Sequence, residues 1–367
     1  MNPLKQLESC GQSPWLDYVR RDIISNGELR TLIERDGLKG VTSNPAIFEK
    51  AIGHSNLYDE DLKQFEGAGH HNVSEIYDHL TIEDIQAGAD VLRPVYDATG
   101  GRDGYISLEV SPYLANETQP TIEEAVRLWG RVDRPNLMVK VPATPAGIPA
   151  IRELIGRGLN INVTLLFGVP AYEQVVEAYI SGLETLAKAG ANVSRTGSVA
   201  SFFVSRIDSL VDKKLAKTGD KAAMEALRGK VAIANAKHAY ERYKALFAGP
   251  RWEKLAAAGA KTQRLLWAST STKDPAFPDT LYVVELIGRD TVNTMPPATM
   301  DAFRDHGTIK ADAVEKDVDQ AHATMATLAK AGISIDEVAS ELVEDGVKQF
   351  ADAFDKLLAA VAKAAKN

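Results

Sequence analysis

A single cysteine, Cys10, stands in a chain of 367 residues. One thiol cannot close an intramolecular disulfide, so the chain carries no oxidising-compartment framework and suits a reducing cytosol. No histidine or asparagine stands in a recognisable relation to it, which reads as an inert thiol rather than a nucleophile. No apolar run approaches the roughly 20 residues that cross a bilayer, and the opening stretch lacks the apolar segment of a signal peptide. The expectation is a soluble, cytoplasmic protein. Proline and glycine are modest, at 16 and 27, well below the content at which disorder becomes the better reading. Excess positive charge is missing too: 42 lysines and arginines face 50 aspartates and glutamates, a net charge of −8. That balance argues against a general nucleic-acid or anionic-membrane binder and still allows a local basic pocket.

Metal and nucleotide signatures are also lacking. His70, His71 and His79 have neither HExxH spacing nor nearby cysteines, so no metal site is expected there. Gly100, Gly101 and Gly104 precede a strand-like segment instead of following one, which does not make a dinucleotide loop. No fixed-period repeat and no low-complexity linker interrupts the chain.

What is present is a globular composition, 45% apolar and 25% charged, with short β-rich segments separated by stretches of helical spacing. The candidate strands are 15–19, 40–44, 105–110, 136–141, 160–167, 198–205, 264–270 and 290–295. Helical spacing covers 27–36, 74–97, 121–130, 146–156, 170–189 and 220–247. Strands alternating with helices imply parallel βα units, and eight of them predict an α/β fold, a closed (β/α)8 barrel. Residues 280–287 have strand-like composition but must be helical if 290–295 is the last strand. Long inserts follow the second and sixth strands and carry extra helices. We expect one barrel domain over 1–367, with 310–367 a helical C-terminal extension, broken near Ala331 and Gly332, packing across the barrel.

Alternation along each strand sends one face to the helices and the other into the barrel. Leu137, Val139 and Val141 are apolar and should face the helices, so Lys140 points inward. The same test puts Ser107 and Glu109 inside, then Asn162 and Thr164, then Ser201, Phe203 and Ser205, with Leu165 and Phe167 outside. Asp17 shares a face with Trp15, and Thr42 with Asn44. Unpaired charge in such a space would cost several kcal/mol, about the effective burial penalty per ion, so these groups must be paired or shifted in pKa. A structural ion pair of Lys140 with Glu109 or Asp17 would meet that need. So many polar groups at inward positions nonetheless favour a site, because barrel interiors are filled mainly by branched apolar side chains. A buried lysine between two carboxylates suits Schiff-base chemistry. Desolvation favours the neutral amine that attacks a carbonyl, the protonated imine draws electrons, and the carboxylates move protons. No cofactor is required.

These residues sit in segments that resemble a known family. Gly40-Val41-Thr42-Ser43-Asn44-Pro45 is similar to the N-terminal motif of the transaldolases, and Met138 to Ile148 (MVKVPATPAGI) resembles their Schiff-base lysine motif. Asn162 to Phe167, Trp15-Leu16-Asp17, Ser107 to Val110, Ser201 to Arg206 and Trp267 to Thr270 extend the likeness from near residue 14 to about residue 300. The resemblance implies a cytoplasmic transferase of the pentose phosphate pathway that moves a dihydroxyacetone unit between sugar phosphates. The donor would be fructose 6-phosphate or sedoheptulose 7-phosphate, and the acceptor erythrose 4-phosphate or glyceraldehyde 3-phosphate. By that resemblance Lys140 forms the Schiff base, Asp17 takes the proton of the C4 hydroxyl, and Glu109 with Thr164 handles the catalytic water. Asn44, Asn162 and Ser201 would bind the dihydroxyacetone fragment, Thr42 and Phe203 would line the same space, and Arg206 with Ser269 would hold the phosphate. One departure is Ser271, where some transaldolases carry an arginine as second phosphate anchor; Lys273 is a candidate replacement. The alternatives are an aldolase that releases free dihydroxyacetone, which the length and Glu109 disfavour, and a barrel scaffold without catalysis. Monomer and homodimer are both left open.

Overall fold

The computed structural model describes residues 2–67 and 72–364. Eight parallel strands close into a barrel in sequence order: β1 (Gln12–Asp17), β2 (Gly40–Thr42), β3 (Tyr105–Glu109), β4 (Leu137–Pro142), β5 (Ile161–Leu166), β6 (Ser198–Phe203), β7 (Arg264–Ala268) and β8 (Thr291–Met295), with β8 returning to pair β1. Each strand is followed by at least one helix, the arrangement that right-handed crossovers impose on a parallel sheet. The fold is the expected (β/α)8 barrel. Residues 280–287 contribute a short helix, Leu281–Glu285, as closure of the barrel requires. The expected helix over 220–247 is two, Lys221–Leu227 and Val231–Leu246, because Gly229 at φ +70° breaks it against the ring of Phe277. Among the described residues no helix is long and apolar enough to cross a membrane.

The first strand begins three residues before its expected start. Gln12, Ser13 and Pro14 pair with β8, and their polarity hides the strand from a periodicity test. Gln12 is satisfied inside, donating to the Leu286 carbonyl at 2.8 Å and to Thr291 Oγ1 at 3.0 Å. Trp15 lies in the lower barrel, its indole filling the volume a Cβ on Gly40 would need, 2.5 Å away. Gly40 is therefore obligatory on packing grounds, although its φ is ordinary.

A buried ion pair plugs this lower end. Arg264 Nη2 donates to Asp103 Oδ1 at 2.9 Å, and Trp15 Nε1 and Ser13 Oγ donate to the same carboxylate at 3.1 and 2.8 Å. Arg264 also reaches Ser13 Oγ and the Arg102 carbonyl. Both charged side chains are about 5% exposed or less, so removing one strands the other. Arg264→Ala is expected to cost about 3–5 kcal/mol of stability, read as a lower urea midpoint at unchanged slope. A loss within the range of an exposed pair, about 1 kcal/mol or less, would mean the plug carries no such weight.

At the opposite end the strand alternation breaks once. Val163 pairs Ala200 but Leu166 pairs Phe202, so β5 holds one extra residue, and Leu165 takes it up in the left-handed region at φ +54°. Such a bulge turns the following residues over. Phe167, expected to face the helices, instead meets the ring of Phe203 at 5.1 Å. Leu165, expected to do the same, meets Gly346 of the last helix, Ile335–Ala364, so closely that a Cβ there would lie 2.7 Å from its Cδ2. This helix also packs on the helices Pro45–Gly53 and Ser205–Thr218 and on the turn Pro112–Leu114, all of which follow strand C-terminal ends.

Candidate active site

Lys140 projects from the middle of β4, whose outward residues Leu137, Val139 and Val141 are fully buried under the helices. Its Nζ donates to the Ser43 carbonyl at 2.9 Å and stands 3.4 Å from Glu109 Oε2. Ser43 is itself fixed by its hydroxyl, which donates to the Ser107 carbonyl at 2.7 Å. Strand register sets Glu109, Lys140 and Asn162 level on three neighbouring strands. A buried polar chain links three strands through Asn162: Ser201 Oγ donates to Asn162 Oδ1 at 2.6 Å, and Asn162 Nδ2 donates to Ser107 Oγ at 3.0 Å. Those two bonds orient the Asn162 carboxamide and leave one amide hydrogen unassigned.

Two carboxylates share the lysine. Asp17, at the end of β1, accepts from Thr42 Oγ1 at 2.7 Å, and Thr294 Oγ1 lies 2.7 Å from the same hydroxyl. Since Thr42 has one proton and Asp17 takes it, Thr294 donates in the second bond. Burial pushes the Asp17 carboxyl above its ordinary pKa, while Lys140, the Thr42 hydrogen bond and Arg206 pull the other way. Glu109 is likewise pushed up by burial and held back by Lys140, with Asp17 adding a smaller upward push. Thr164 Oγ1 is buried and lacks a hydrogen-bond partner among the described residues, and Glu109 Oε2, also buried, has only Lys140 Nζ at 3.4 Å. Buried polar atoms in that condition ordinarily hold a water or a ligand.

Arg206 lies in the first turn of the helix that follows β6, Ser205–Thr218. Its guanidinium sits 5.4 Å from the Phe203 ring centre, and its Nη1 is buried without a hydrogen-bond partner among the described residues. Burial lowers its pKa from the usual guanidinium value, and Asp345 of the last helix and Asp17 pull it back up. Next to it Ser269 follows β7 in the left-handed region at φ +56°, its Oγ 2.9 Å from Ser205 Oγ. The Ser205 N–H donates to the Ser269 carbonyl at 3.0 Å, so the two strand ends are laced together. Lys273 Nζ donates to Ser271 Oγ at 2.7 Å, which brings a cation to the position where the resemblance had left a serine. Asn44 caps the helix Pro45–Gly53 by accepting from the Ile47 N–H at 3.0 Å. Although expected as the end of a strand, it is thereby fixed at the rim of the barrel.

The last helix covers part of this rim. Val347 and Phe350 close over Glu109, Pro142 and Leu165, and Phe354 and Leu358 border a cavity of about 350 Å³ that runs past Asn44 and Glu109 to Tyr77 and Arg127.

Lysine, carboxylates and unpartnered donors thus converge at the C-terminal ends of the strands, where barrel enzymes carry their chemistry. The family model for transaldolase/fructose-6-phosphate aldolase matches residues 14–361. The chain belongs to this family. Among its relatives, the Transaldolase of Frankia alni is 51% identical over 362 residues, covering 99% of this chain and 97% of its own. Transaldolase 1 of Streptomyces avermitilis is 51% identical over 359 residues, 98% of this chain and 94% of its own, and the Transaldolase of Trichodesmium erythraeum is 48% identical over 366 residues, 97% and 96%. The family match therefore covers nearly the whole chain, including most of the residues of the tail helices.

The structure brings Glu109, Asn162 and Ser201 around Lys140, sets Asp17 with Thr42 and Arg206 with Phe203, and ties Ser269 to Ser205, the residue before Arg206. The sequence reading missed Ser43, whose carbonyl receives the lysine, and Thr294, which completes the chain of hydroxyls to Asp17. Alternation on β8 does not single out Thr294, because neither Thr291/Asn293/Met295 nor Val292/Thr294 is a wholly apolar face, and nothing in the sequence signals the Ser43 carbonyl. His79 pairs with Glu83 at 2.9 Å, while His70 and His71 lie outside the described residues.

Proposed function

We propose that the protein is a transaldolase, moving a dihydroxyacetone unit from a ketose phosphate to an aldose phosphate through an imine on Lys140. The observation that carries the reading is a buried lysine held by the Ser43 carbonyl within 3.4 Å of one carboxylate and electrostatically coupled to a second. Fructose 6-phosphate or sedoheptulose 7-phosphate would donate, erythrose 4-phosphate or glyceraldehyde 3-phosphate would accept, in the pentose phosphate pathway. The lone thiol and the acidic net charge fit a cytosolic enzyme.

The placement of charges supports a division of roles along the substrate. Arg206, with its unpartnered Nη1, and Ser269 would take the phosphate, with Lys273 as further support, since an anion supplies the guanidinium with the missing hydrogen-bond partner and a counter-charge. The keto carbon then lies at Lys140 and the C4 hydroxyl between the two. Asp17 is the carboxylate that feels both Lys140 and Arg206, so it fits removal of the C4 proton as the C3 to C4 bond breaks. Glu109 is coupled to Lys140 and Asp17 and, with the unpartnered Thr164 hydroxyl, would hold the water used in imine formation and hydrolysis. Asn44, Asn162 and Ser201 would bind the hydroxyls of the three-carbon fragment, with Thr42 and Phe203 as walls.

The deciding experiment compares product formation from fructose 6-phosphate with and without an aldose phosphate. Transfer requires the acceptor. Equal rates of release of free dihydroxyacetone without it would make the protein an aldolase of the same family, and no turnover under either condition would reject the reading.

A pH prediction follows from the Thr42 bond. That hydrogen bond favours the ionised form of Asp17, and cleavage needs Asp17 ionised to accept a proton. Thr42→Val removes the bond, raises the Asp17 pKa, and should move the acid limb of the kcat profile to higher pH while its alkaline limb stays in place. An acid limb unmoved in the variant would show that Asp17 is not the group titrating there.

A further inference from the structure

On the outer shell of the barrel, the helix Val231–Leu246 carries His238 and Glu241 three positions apart, on one face. Against it packs the helix Val318–Lys330 with His322. His322 Nε2 lies 3.1 Å from Glu241 Oε2, and the rings of His238 and His322 centre 4.2 Å apart. One donor atom from each of the three residues falls within 4.8 Å of the other two. A second observation points at a missing ligand. His238 Nε2 is buried and has no hydrogen-bond partner among the described residues, a condition native proteins rarely leave uncorrected.

We propose that His238, Glu241 and His322 form a divalent transition-metal site, suited to Zn²⁺, that clamps the C-terminal helices to the barrel's outer shell. Two imidazoles and one carboxylate are a donor set that zinc takes, with bonds of about 2.0–2.2 Å and a tetrahedral arrangement. Those bonds place donors roughly 3.3–3.5 Å apart, close to the present His322 to Glu241 separation, and rotation of the exposed His322 side chain brings in the rest. Calcium and magnesium prefer oxygen shells, so the two nitrogens select against them. The fourth position is left to water. None of the three residues belongs to the group around Lys140, so the site acts on the cohesion of the fold and is independent of the reaction assigned above.

The test uses full-length protein stripped with a chelator and titrated with Co²⁺, whose visible bands report tetrahedral nitrogen and oxygen coordination. One equivalent per chain is expected, displaced by Zn²⁺, and saturating Zn²⁺ should raise the unfolding temperature by about 2–4 °C or more. His322→Ala and Glu241→Gln, both at solvent-reachable positions, should each fold normally and weaken Co²⁺ binding by about tenfold or more. Absence of the bands in the unsubstituted protein overturns the proposal. So does retention of full affinity in both variants, which would assign the metal to other residues.

Discussion

Lys140→Met is expected to leave a folded barrel that still binds sugar phosphate and transfers nothing, with turnover down by about 10⁴-fold or more, the scale on which enzymes lose rate with their nucleophile. Methionine keeps the unbranched stem in the space between Glu109 and Asn162 and removes the amine. The charge left behind is Glu109, whose carboxyl burial already pushes up. Without the ammonium at 3.4 Å it takes a proton instead of unfolding the site. Borohydride reduction in the presence of fructose 6-phosphate, followed by peptide mass spectrometry, should find a three-carbon adduct on Lys140 in the parent protein and none in the variant. Lys140→Arg, which keeps a cation but no imine-forming amine, should be as inactive. An adduct on another lysine, or turnover within tenfold of the parent, would refute imine chemistry at this position.

The second large effect separates the carboxylates. Asp17→Asn should cut transfer by about 10²–10⁴-fold, the usual contribution of a general base, and should do so after the imine has formed. The ketose imine then accumulates because its C4 hydroxyl keeps its proton, and reduction traps a six-carbon adduct on Lys140. Glu109→Gln should slow imine formation and hydrolysis and leave cleavage of a formed imine less affected, so little adduct of either size builds up early. The asymmetry follows from position. Asp17 feels Arg206 as well as Lys140, whereas Glu109 stands level with the lysine at 3.4 Å and does not feel Arg206. If Asp17→Asn yields the three-carbon adduct at the parent rate, Asp17 is a structural partner of the lysine and the cleavage base is elsewhere.

Much of this site was legible before any coordinates. Alternation on β4 is enough to turn Lys140 inward, because Leu137, Val139 and Val141 leave the lysine no other face, and the same argument delivers Glu109, Asn162 and Ser201. What alternation cannot report is which inward residues end up level with one another, since that depends on register and barrel closure. The link from Thr294 through Thr42 to Asp17 joins the last strand to the second and first, and no local pattern announces it. The Asp103 and Arg264 pair is invisible for the same reason: its members lie far apart in sequence. The bulge at Leu165 defeated the period itself. A leucine in the left-handed region is rare enough that Val163, Leu165 and Phe167 read naturally as one face, and only the pairing with β6 exposes the extra residue. The role of Asn44 as a helix cap was hidden inside a segment whose apolar start suggested strand throughout.

The helix Ile335–Ala364 closes over the rim with Val347, Phe350 and Phe354, and it is the last element of the chain described. Synthesis is vectorial, and earlier segments can fold while later ones are still being made. The eight strands and Lys140 are therefore all in hand well before the rim is covered. The residues that carry the chemistry are thus made before the residues that cover them, and the cover is a late addition to a barrel whose strands are already complete in sequence.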